Sequence, residues 1–339
     1  MKRQFVNLLK VAISIGIIAY LLNQARADNS FAQLRDQPKN WTLLAAALGL
    51  SFVAVCATFF RWYLLVQAIG LPFQLKDAFR LGFLGYLLNF ISLGSVGGDV
   101  FKAAFIAREQ PGRRTQAIAT VIVDRMMGTY SLLLLATSGI LLTELHHEVS
   151  GNFQLVCRAT LAATLAGTVI IVMLFAPGAT HPWFLAICRS IPKAGQLIIN
   201  MTEAVRMYRH RLGTLAITCL LSLGTHALFT LTIYSIAVGL PGDQPSLARH
   251  FVIVPIGMAA GGLPLPLGGL GAFEYVIDFL YRKVSGSTQG LVVALGYRLI
   301  TVVIAAIGAG VYIASRREVD ELLHEAEAEA ESMATRPSP

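Results

Sequence analysis

The sequence predicts an all-α polytopic membrane protein, and three observations support that class. The 339 residues are 55% hydrophobic and only 14% charged, whereas a soluble domain carries about 25% charged residues. The mean hydropathy of the whole chain is +0.64. Apolar runs of about 18 residues or more recur along the chain, and that length crosses the roughly 30 Å hydrocarbon core of a bilayer.

The uninterrupted apolar runs predict six full transmembrane helices. The first run follows Met1, Lys2 and Arg3, as a signal peptide would, but no small-x-small cleavage site follows it. We therefore expect it to be retained as a helix. The predicted spans, in chain order, are residues 5–22, 41–69, 117–142, 155–176, 212–239 and 288–314.

Two further apolar regions, residues 78–107 and 249–283, are interrupted by glycine and proline clusters, which predicts broken helices. Residues 178–211 are more polar and have apolar positions at helical spacing, so we expect an amphipathic cytoplasmic helix there. The prediction is one integral membrane domain over residues 1–315, followed by a charged and partly disordered tail over residues 316–339.

The distribution of Lys and Arg predicts the topology, because these residues concentrate in cytoplasmic loops. The basic N-terminus favours the inside, residues 23–40 then lie outside, and both Lys76 and the arginines of residues 108–114 favour the inside. These assignments agree if region 78–107 dips into the membrane and returns. The same argument makes region 249–283 a dip from the outside. The alternative is eight full spans, which places the arginine cluster outside.

The two broken regions share a sequence pattern, which indicates an internal repeat. The first contains L-G-S-V-G-G-D-V-F-K, and the second contains P-L-P-L-G-G-L-G-A-F-E-Y. Each is followed by a helix with an embedded arginine, and the interval from Gly98 to Arg125 equals that from Gly271 to Arg298, 27 residues in each case. With the topology above, they form an inverted repeat. Transporters with that plan bind their substrates near the bilayer midplane.

Several ionisable residues lie within or beside these apolar segments. A charge near the bilayer centre costs roughly 2.5–3.5 kcal/mol on insertion scales, so we expect Asp99 or Glu274 to pair with Arg125 or Arg298 around a polar cavity. We expect glycine N–H groups at both breaks to bind a polar head group. The candidate substrate-binding and transport residues are Asn89, Gly97, Gly98, Asp99, Asp124, Arg125, Pro264, Pro266, Gly268, Gly269, Gly271, Glu274 and Arg298.

Some of these polar residues have an equally good structural interpretation. Asn89 could bind a head group or cap the broken backbone, and an ion pair of Asp124 could serve helix packing alone. We expect Arg61 and Lys102 to be interfacial anchors whose charged ends reach water. We expect His226 to be a packing residue.

The sequence also argues against a nucleotide-binding, metal or catalytic site of the kind found in soluble proteins. The glycine-rich stretch does not match G-x-x-x-x-G-K-[ST], and no predicted strand precedes it. The four cysteines have no metal-ligand spacing. We therefore expect no catalytic residues, no metal, no cofactor and no nucleic-acid partner. The formal net charge of +8 reflects basic cytoplasmic loops.

Three motifs carry a resemblance to a known family. In chain order they are N-F-I-S-L-G-S-V-G-G-D-V-F-K, A-T-V-I-V-D-R and P-L-P-L-G-G-L-G-A-F-E. Together they resemble the flippase-like membrane family named for the transmembrane region of lysylphosphatidylglycerol synthase, over residues 5–315. Members usually show P-x-x-G-G-[DE] at the first motif, where this chain has Leu93, Gly94 and Ser95. The resemblance implies a stand-alone lipid-handling unit without the soluble aminoacyltransferase domain of the synthase.

The leading hypothesis is translocation of a membrane lipid or a polyprenyl-phosphate-linked substrate. The expected location is the cell (inner, cytoplasmic) membrane, with several crossings and both termini cytoplasmic. One alternative is a membrane-embedded transferase acting on lipid head groups, with Asp99 or Glu274 as its base. Another is a non-transporting accessory protein of an envelope complex, with envelope-biosynthesis enzymes as partners.

Overall fold

The computed structural model describes residues 16–24, 26–28, 30–91, 97–143, 151–175, 195–262 and 271–314. All regular secondary structure within these ranges is helical, which confirms the all-α class. The predicted charged tail lies outside the described residues. So do four candidate residues of the second break, Pro264, Pro266, Gly268 and Gly269.

Eleven helices have defined bounds in the described part of the chain, and residues 16–24 are helical as well. The eleven are α1 (Ser30–Asp36), α2 (Trp41–Ala68), α3 (Leu75–Ile91), α4 (Gly97–Glu109), α5 (Arg114–Thr143), α6 (Asn152–Phe175), α7 (Gly195–Met207), α8 (Leu212–Gly239), α9 (Leu247–Gly261), α10 (Ala272–Ser285) and α11 (Gly290–Ala314).

Five helices are long and apolar enough to cross a membrane. They are α2, α5, α8, nearly all of α11 (Gly290–Ile313) and the part of α6 from Phe153 to Leu174. Five of the six predicted spans are therefore confirmed. The sixth, residues 5–22, overlaps the helical residues 16–24 and otherwise lies outside the described ranges.

The first broken region forms an antiparallel hairpin of α3 and α4, called here the first hairpin. Near the turn, the Gly98 amide donates to Asn89 Oδ1 at 2.9 Å. Away from the turn, the Arg80 guanidinium lies 5.8 Å from the centre of the Phe105 ring. A Cβ added to Gly98 would overlap the Gly85 carbonyl. Glycine at that position therefore allows the two arms to touch.

The second broken region forms an antiparallel hairpin of α9 and α10, called here the second hairpin. Near its turn, a Cβ added to Gly261 would lie 3.2 Å from Phe273 Cβ. At its open end, His250 Nε2 and the Tyr281 hydroxyl are 2.7 Å apart. The side chain of Ser246, which caps α9, accepts a hydrogen bond from the Arg249 amide at 3.4 Å.

Both hairpins reverse the direction of the chain inside the bundle. Their arms have 13 to 17 residues, or about 20–25 Å at 1.5 Å per residue, which is shorter than the roughly 30 Å hydrocarbon core. Each hairpin therefore begins and ends at the same end of the bundle. This arrangement matches the predicted dips and differs from the alternative of eight full spans.

The two hairpins open toward opposite ends of the bundle. At the open end of the first, Gln110 Nε2 donates to the Pro72 carbonyl at 2.9 Å. At the open end of the second, Arg282 Nη2 lies 2.6 Å from Asp28 Oδ2, and its Nε lies 2.8 Å from Asp278 Oδ2. Because α2 runs from the Asp28 end to the Pro72 end, the hairpins are inverted relative to each other. The two carboxylates also neutralise Arg282, a basic residue at the end that the topology predicts to be outside.

Helix α7 occupies part of the predicted amphipathic connection. Its Ala204 and Val205 are buried, while Glu203 and Arg206 are exposed. Just after the helix, the Tyr208 hydroxyl donates to the Leu65 carbonyl at 2.9 Å. The apolar face of α7 therefore packs mainly against α5, and Tyr208 connects this region to the end of α2 at which the first hairpin opens.

Candidate functional site

A cavity of about 660 Å³ lies between the described residues that flank the two breaks, Asn89 and Asp99 in the first hairpin and Gly262 and Phe273 in the second. Helices α2, α5, α8 and α11 complete its wall. Charged and amide side chains form one part of the wall: Arg61, Asn89, Asp99, Lys102, Asp124, Arg125 and Arg298. Apolar side chains form another part: Val55, Leu132, Leu133, Phe229, Met258 and Phe273.

The first hairpin contributes an ion pair to this cavity. Asp99 lies in the first turn of α4, and its Oδ2 is 2.6 Å from Arg125 Nε on α5. The Arg125 side chain is 47% exposed and that of Asp99 is 23% exposed. The pair is therefore accessible, and its partners could exchange with a ligand at a small cost in stability.

The second hairpin contributes the matching ion pair. Glu274 lies in the first turn of α10, and its Oε1 is 2.8 Å from Arg298 Nε on α11. The other carboxylate oxygen accepts a hydrogen bond from the Gly271 amide at 2.8 Å. Glu274 is fully enclosed, but Arg298 reaches the cavity. This second pair is thus a buried joint between α10 and α11.

The two pairs have the same plan. In each, the acid lies in the first turn of a hairpin's second arm, and the arginine lies in the long helix that follows. The sequence left open which acid joins which arginine, and the structure pairs Asp99 with Arg125 and Glu274 with Arg298.

The glycines of the two turns have roles that differ from the expectation. Gly98 gives its amide hydrogen to Asn89, and Gly271 gives its own to Glu274. Those two amides are therefore engaged within the protein, and head-group binding by the glycines of the breaks stays a prediction. Gly271 also has a φ of +93°, a conformation that favours glycine. Asn89 is placed as a cap of the broken backbone, next to Gly97 at the start of α4.

Arg61 is not an interfacial anchor, contrary to the expectation from the sequence. Its Nε donates to Asp124 Oδ1 at 2.7 Å, and its Nη1 donates to Ser222 Oγ at 2.8 Å. The side chain is 7% exposed. Arg61 thus joins α2, α5 and α8 at the cavity wall. The sequence did contain a signal for this ion pair. Arg61 lies within an otherwise apolar run, and a charged residue in such a run is normally paired with another polar group.

Lys102 and His226 also lie at the cavity, although the sequence suggested an anchor and a packing residue. The Lys102 ammonium lies 5.7 Å from the Phe59 ring centre and 5.3 Å from that of Trp62. His226 Nε2 is 3.0 Å from the Gly128 carbonyl, to which it donates. A single lysine or histidine in a helix carries no sequence signal for such a location.

The cavity can hold a group that is polar at one end and apolar at the other. Its charged side chains present both hydrogen-bond donors and acceptors, and its leucine and methionine side chains can contact hydrocarbon. In the part of the chain that the structure describes, no group of three or more His, Cys, Asp or Glu side chains could hold a metal ion.

Comparison with known proteins identifies a family model that covers most of the chain and a relative that matches part of it. The family model described as the lysylphosphatidylglycerol synthase TM region matches residues 7–308. A protein named UPF0104 membrane protein, from Methanothermobacter thermautotrophicus, is 26% identical over 208 residues. That match covers 59% of this chain and 56% of the relative, so it spans little more than half of the relative's length.

Proposed function

This chain belongs to the family of the lysylphosphatidylglycerol synthase transmembrane region, and on that premise we propose that it translocates or handles a lipid or a lipid-linked glycan in the membrane. The polar head group enters the cavity between the two hairpins. The substrate class comprises phospholipids and polyprenyl-phosphate-linked sugars.

One observation carries this proposal. The arms of two inverted hairpins line a single cavity with the residues next to their breaks, and both of their ion pairs border it. A lipid that changes leaflet must take its head group through hydrocarbon, where each lost contact with water costs several kcal/mol unless it is replaced. Charged side chains at the turns replace those contacts, while Leu132, Leu133 and Met258 contact the acyl or prenyl chain.

The two ion pairs have different tasks in this mechanism. The half-exposed Arg125 releases Asp99 and binds an acceptor oxygen of the head group, since guanidinium–phosphate contacts are strong and directional. The enclosed Glu274 keeps Arg298 oriented toward the cavity, because Arg298 reaches the wall and Glu274 does not. The sequence has no nucleotide-binding loop, so we propose that movement is equilibration or is driven by an ion gradient.

The proposed location is the cell membrane, with both termini on the cytoplasmic side. The end at which the first hairpin opens carries Lys76, Arg113, Arg114 and Arg209, and such basic ends face the cytoplasm. In that orientation the second hairpin opens to the outside. Enzymes of envelope biosynthesis are the proposed protein partners, because they make or consume lipid-linked substrates.

Reconstitution into liposomes tests the proposal. Fluorescent phospholipids with several head groups are placed in both leaflets, and an impermeant reductant reports the rate at which inner-leaflet lipid reaches the outside. We expect acceleration for at least one head group. The Asp99→Asn/Arg125→Gln double variant should slow it, whereas Asp36→Asn/Arg35→Gln, which removes an exposed ion pair, should not.

Failure to accelerate any lipid class, with protein that remains folded in the liposomes, would contradict the proposal. In that case the same membranes, supplied with labelled head-group donors, distinguish the transferase alternative by the formation of a modified lipid. An accessory protein would give neither signal.

A further inference from the structure

The cations of the cavity wall differ in their partners. Each of the three arginines has a carboxylate within ion-pair distance: Arg61 has Asp124, Arg125 has Asp99, and Arg298 has Glu274. Lys102 forms no ion pair with any residue that the structure describes. Since the three pairs cancel formally, Lys102 leaves this part of the cavity with one positive charge in excess.

The side chain of Lys102 is held in place by packing against residues of α2 and α3. Its ammonium lies 5.7 Å from the centre of the Phe59 ring and 5.3 Å from that of Trp62. The Trp62 ring is held by a hydrogen bond from Nε1 to Thr120 Oγ1 at 3.1 Å. The absence of a side chain on Gly85 leaves room for the lysine stem, since a Cβ there would lie 3.0 Å from Lys102 Cε.

Aromatic rings hold a cation without cancelling its charge. Two ring faces stabilise the ammonium through their quadrupoles, but they supply no negative charge. A carboxylate would neutralise it, as happens for the three arginines. The ammonium also keeps its donors, of which a lysine has three. An uncancelled charge at the wall of a low-dielectric cavity attracts an anion strongly.

We propose that Lys102 selects lipids with an anionic phosphate head group over zwitterionic ones. This inference rests on the proposed function, in which a lipid head group enters this cavity. Lysine binds phosphate as a point charge, and Lys102 lies one helical turn after Asp99, beside the pair that faces the ligand. The apolar wall of Leu132, Leu133 and Met258 favours a lipid over free phosphate.

Ligand-dependent thermal stabilisation of the full-length protein in detergent tests the inference. The probes are dioleoyl phosphatidic acid, dioleoyl phosphatidylcholine and water-soluble glycerol phosphate. We expect phosphatidic acid to stabilise the wild type at a concentration about tenfold or more below that of phosphatidylcholine, as for a hydrogen bond to a charged group. Lys102→Met should abolish this preference, and Lys102→Arg should keep it. The matched control Lys76→Met, on the exposed surface of α3, should also keep it.

Three results would overturn the inference. They are a wild type without preference for the anionic lipid, a folded Lys102→Met variant that keeps the preference, and glycerol phosphate acting as well as the lipid. The first and third need no variant, so misfolding of Lys102→Met leaves the test intact. A wild type that moves no lipid in liposomes contradicts the proposed function instead, and a wild type that moves lipid without head-group preference contradicts only the role of Lys102.

Discussion

Arg298 contacts one oxygen of Glu274 through two nitrogens, with Nε at 2.8 Å and Nη2 at 2.7 Å from Oε1. The second oxygen of Glu274 accepts from the Gly271 amide at 2.8 Å. One carboxylate thus joins the turn of the second hairpin to a transmembrane helix. The Asp99–Arg125 pair joins the first hairpin to α5 in the same manner, but it is more exposed.

Neutralising Glu274 should destabilise the protein strongly. Glu274→Gln leaves Arg298 without its counter-charge in a poorly hydrated site, and the loss of one partner of a buried pair costs about 3–5 kcal/mol. Thermal unfolding in detergent should show a clearly lower midpoint. The control Glu203→Gln, on the exposed face of α7, should change it little. Equal midpoints for the two variants would show that the Glu274 pair does not support the fold.

Neutralising Asp99 should instead affect transport more than stability. The side chains of Asp99 and Arg125 are 23% and 47% exposed, and pairs accessible to water contribute about 0.2–1 kcal/mol. Asp99→Asn should therefore unfold near the wild-type midpoint. Lipid translocation should slow about tenfold if the carboxylate orients Arg125 for the head group. A large stability loss at unchanged translocation would make this pair a packing element.

Arg61 should not tolerate replacement by lysine. Its guanidinium reaches Asp124 at 2.7 Å and Ser222 at 2.8 Å from two different nitrogens, and a single ammonium cannot reproduce that geometry. We expect Arg61→Lys to cost about 2–3 kcal/mol of unfolding free energy. Arg35→Lys, at a side chain that is 81% exposed, should stay within about 0.5 kcal/mol. Similar losses for both would contradict the bridging role.

Gly98 should not tolerate a methyl group. A Cβ at this position would overlap the Gly85 carbonyl, which belongs to the facing arm of the first hairpin. Gly98→Ala should therefore force the arms apart and cost about 1–3 kcal/mol. Gly49→Ala is the matched control, because nothing lies within 4 Å of its added Cβ. It should be neutral or stabilise α2 by up to about 1 kcal/mol. Equal unfolding midpoints would contradict the close approach.

Cysteine labelling in intact cells should place both ends of the first hairpin on one side of the membrane. In a background without native cysteines, Lys76→Cys and Arg114→Cys should both resist an impermeant maleimide until the cells are opened. Lys39→Cys, at the opposite end of the bundle, should react at once. Opposite behaviour of Lys76→Cys and Arg114→Cys would support a single crossing by region 78–107.

The long apolar spans and the two breaks were predictable from the sequence. The spans are recognisable because some 20 apolar residues are needed to cross a bilayer. The breaks are recognisable from their glycine clusters. The inverted arrangement followed from the basic residues near the helix ends, since their placement has to agree along the whole chain. The described ends of the hairpins match that arrangement.

The partners of three groups were not predictable from the sequence, because they belong to other helices. Arg61 was expected at an interface, but its partners Asp124 and Ser222 are 63 and 161 residues away along the chain. Lys102 was expected at an interface too, but Phe59 and Trp62 hold it at the cavity. The Gly98 amide was expected to be available, and Asn89 engages it.

The membrane class, the spans, the broken segments and the set of intramembrane charges are predictable from the amino-acid sequence alone. Those features depend on hydrophobicity and local backbone preferences, which are properties of short stretches. The choice of partner for each arginine, and the lack of a carboxylate partner for Lys102 among the described residues, are visible only in the folded protein. Such choices depend on helix packing, because an ion pair in hydrocarbon forms with whichever partner the fold brings within about 4 Å. Among the described residues Lys102 has no ion-pair partner, and the rings of Phe59 and Trp62 lie next to its ammonium instead.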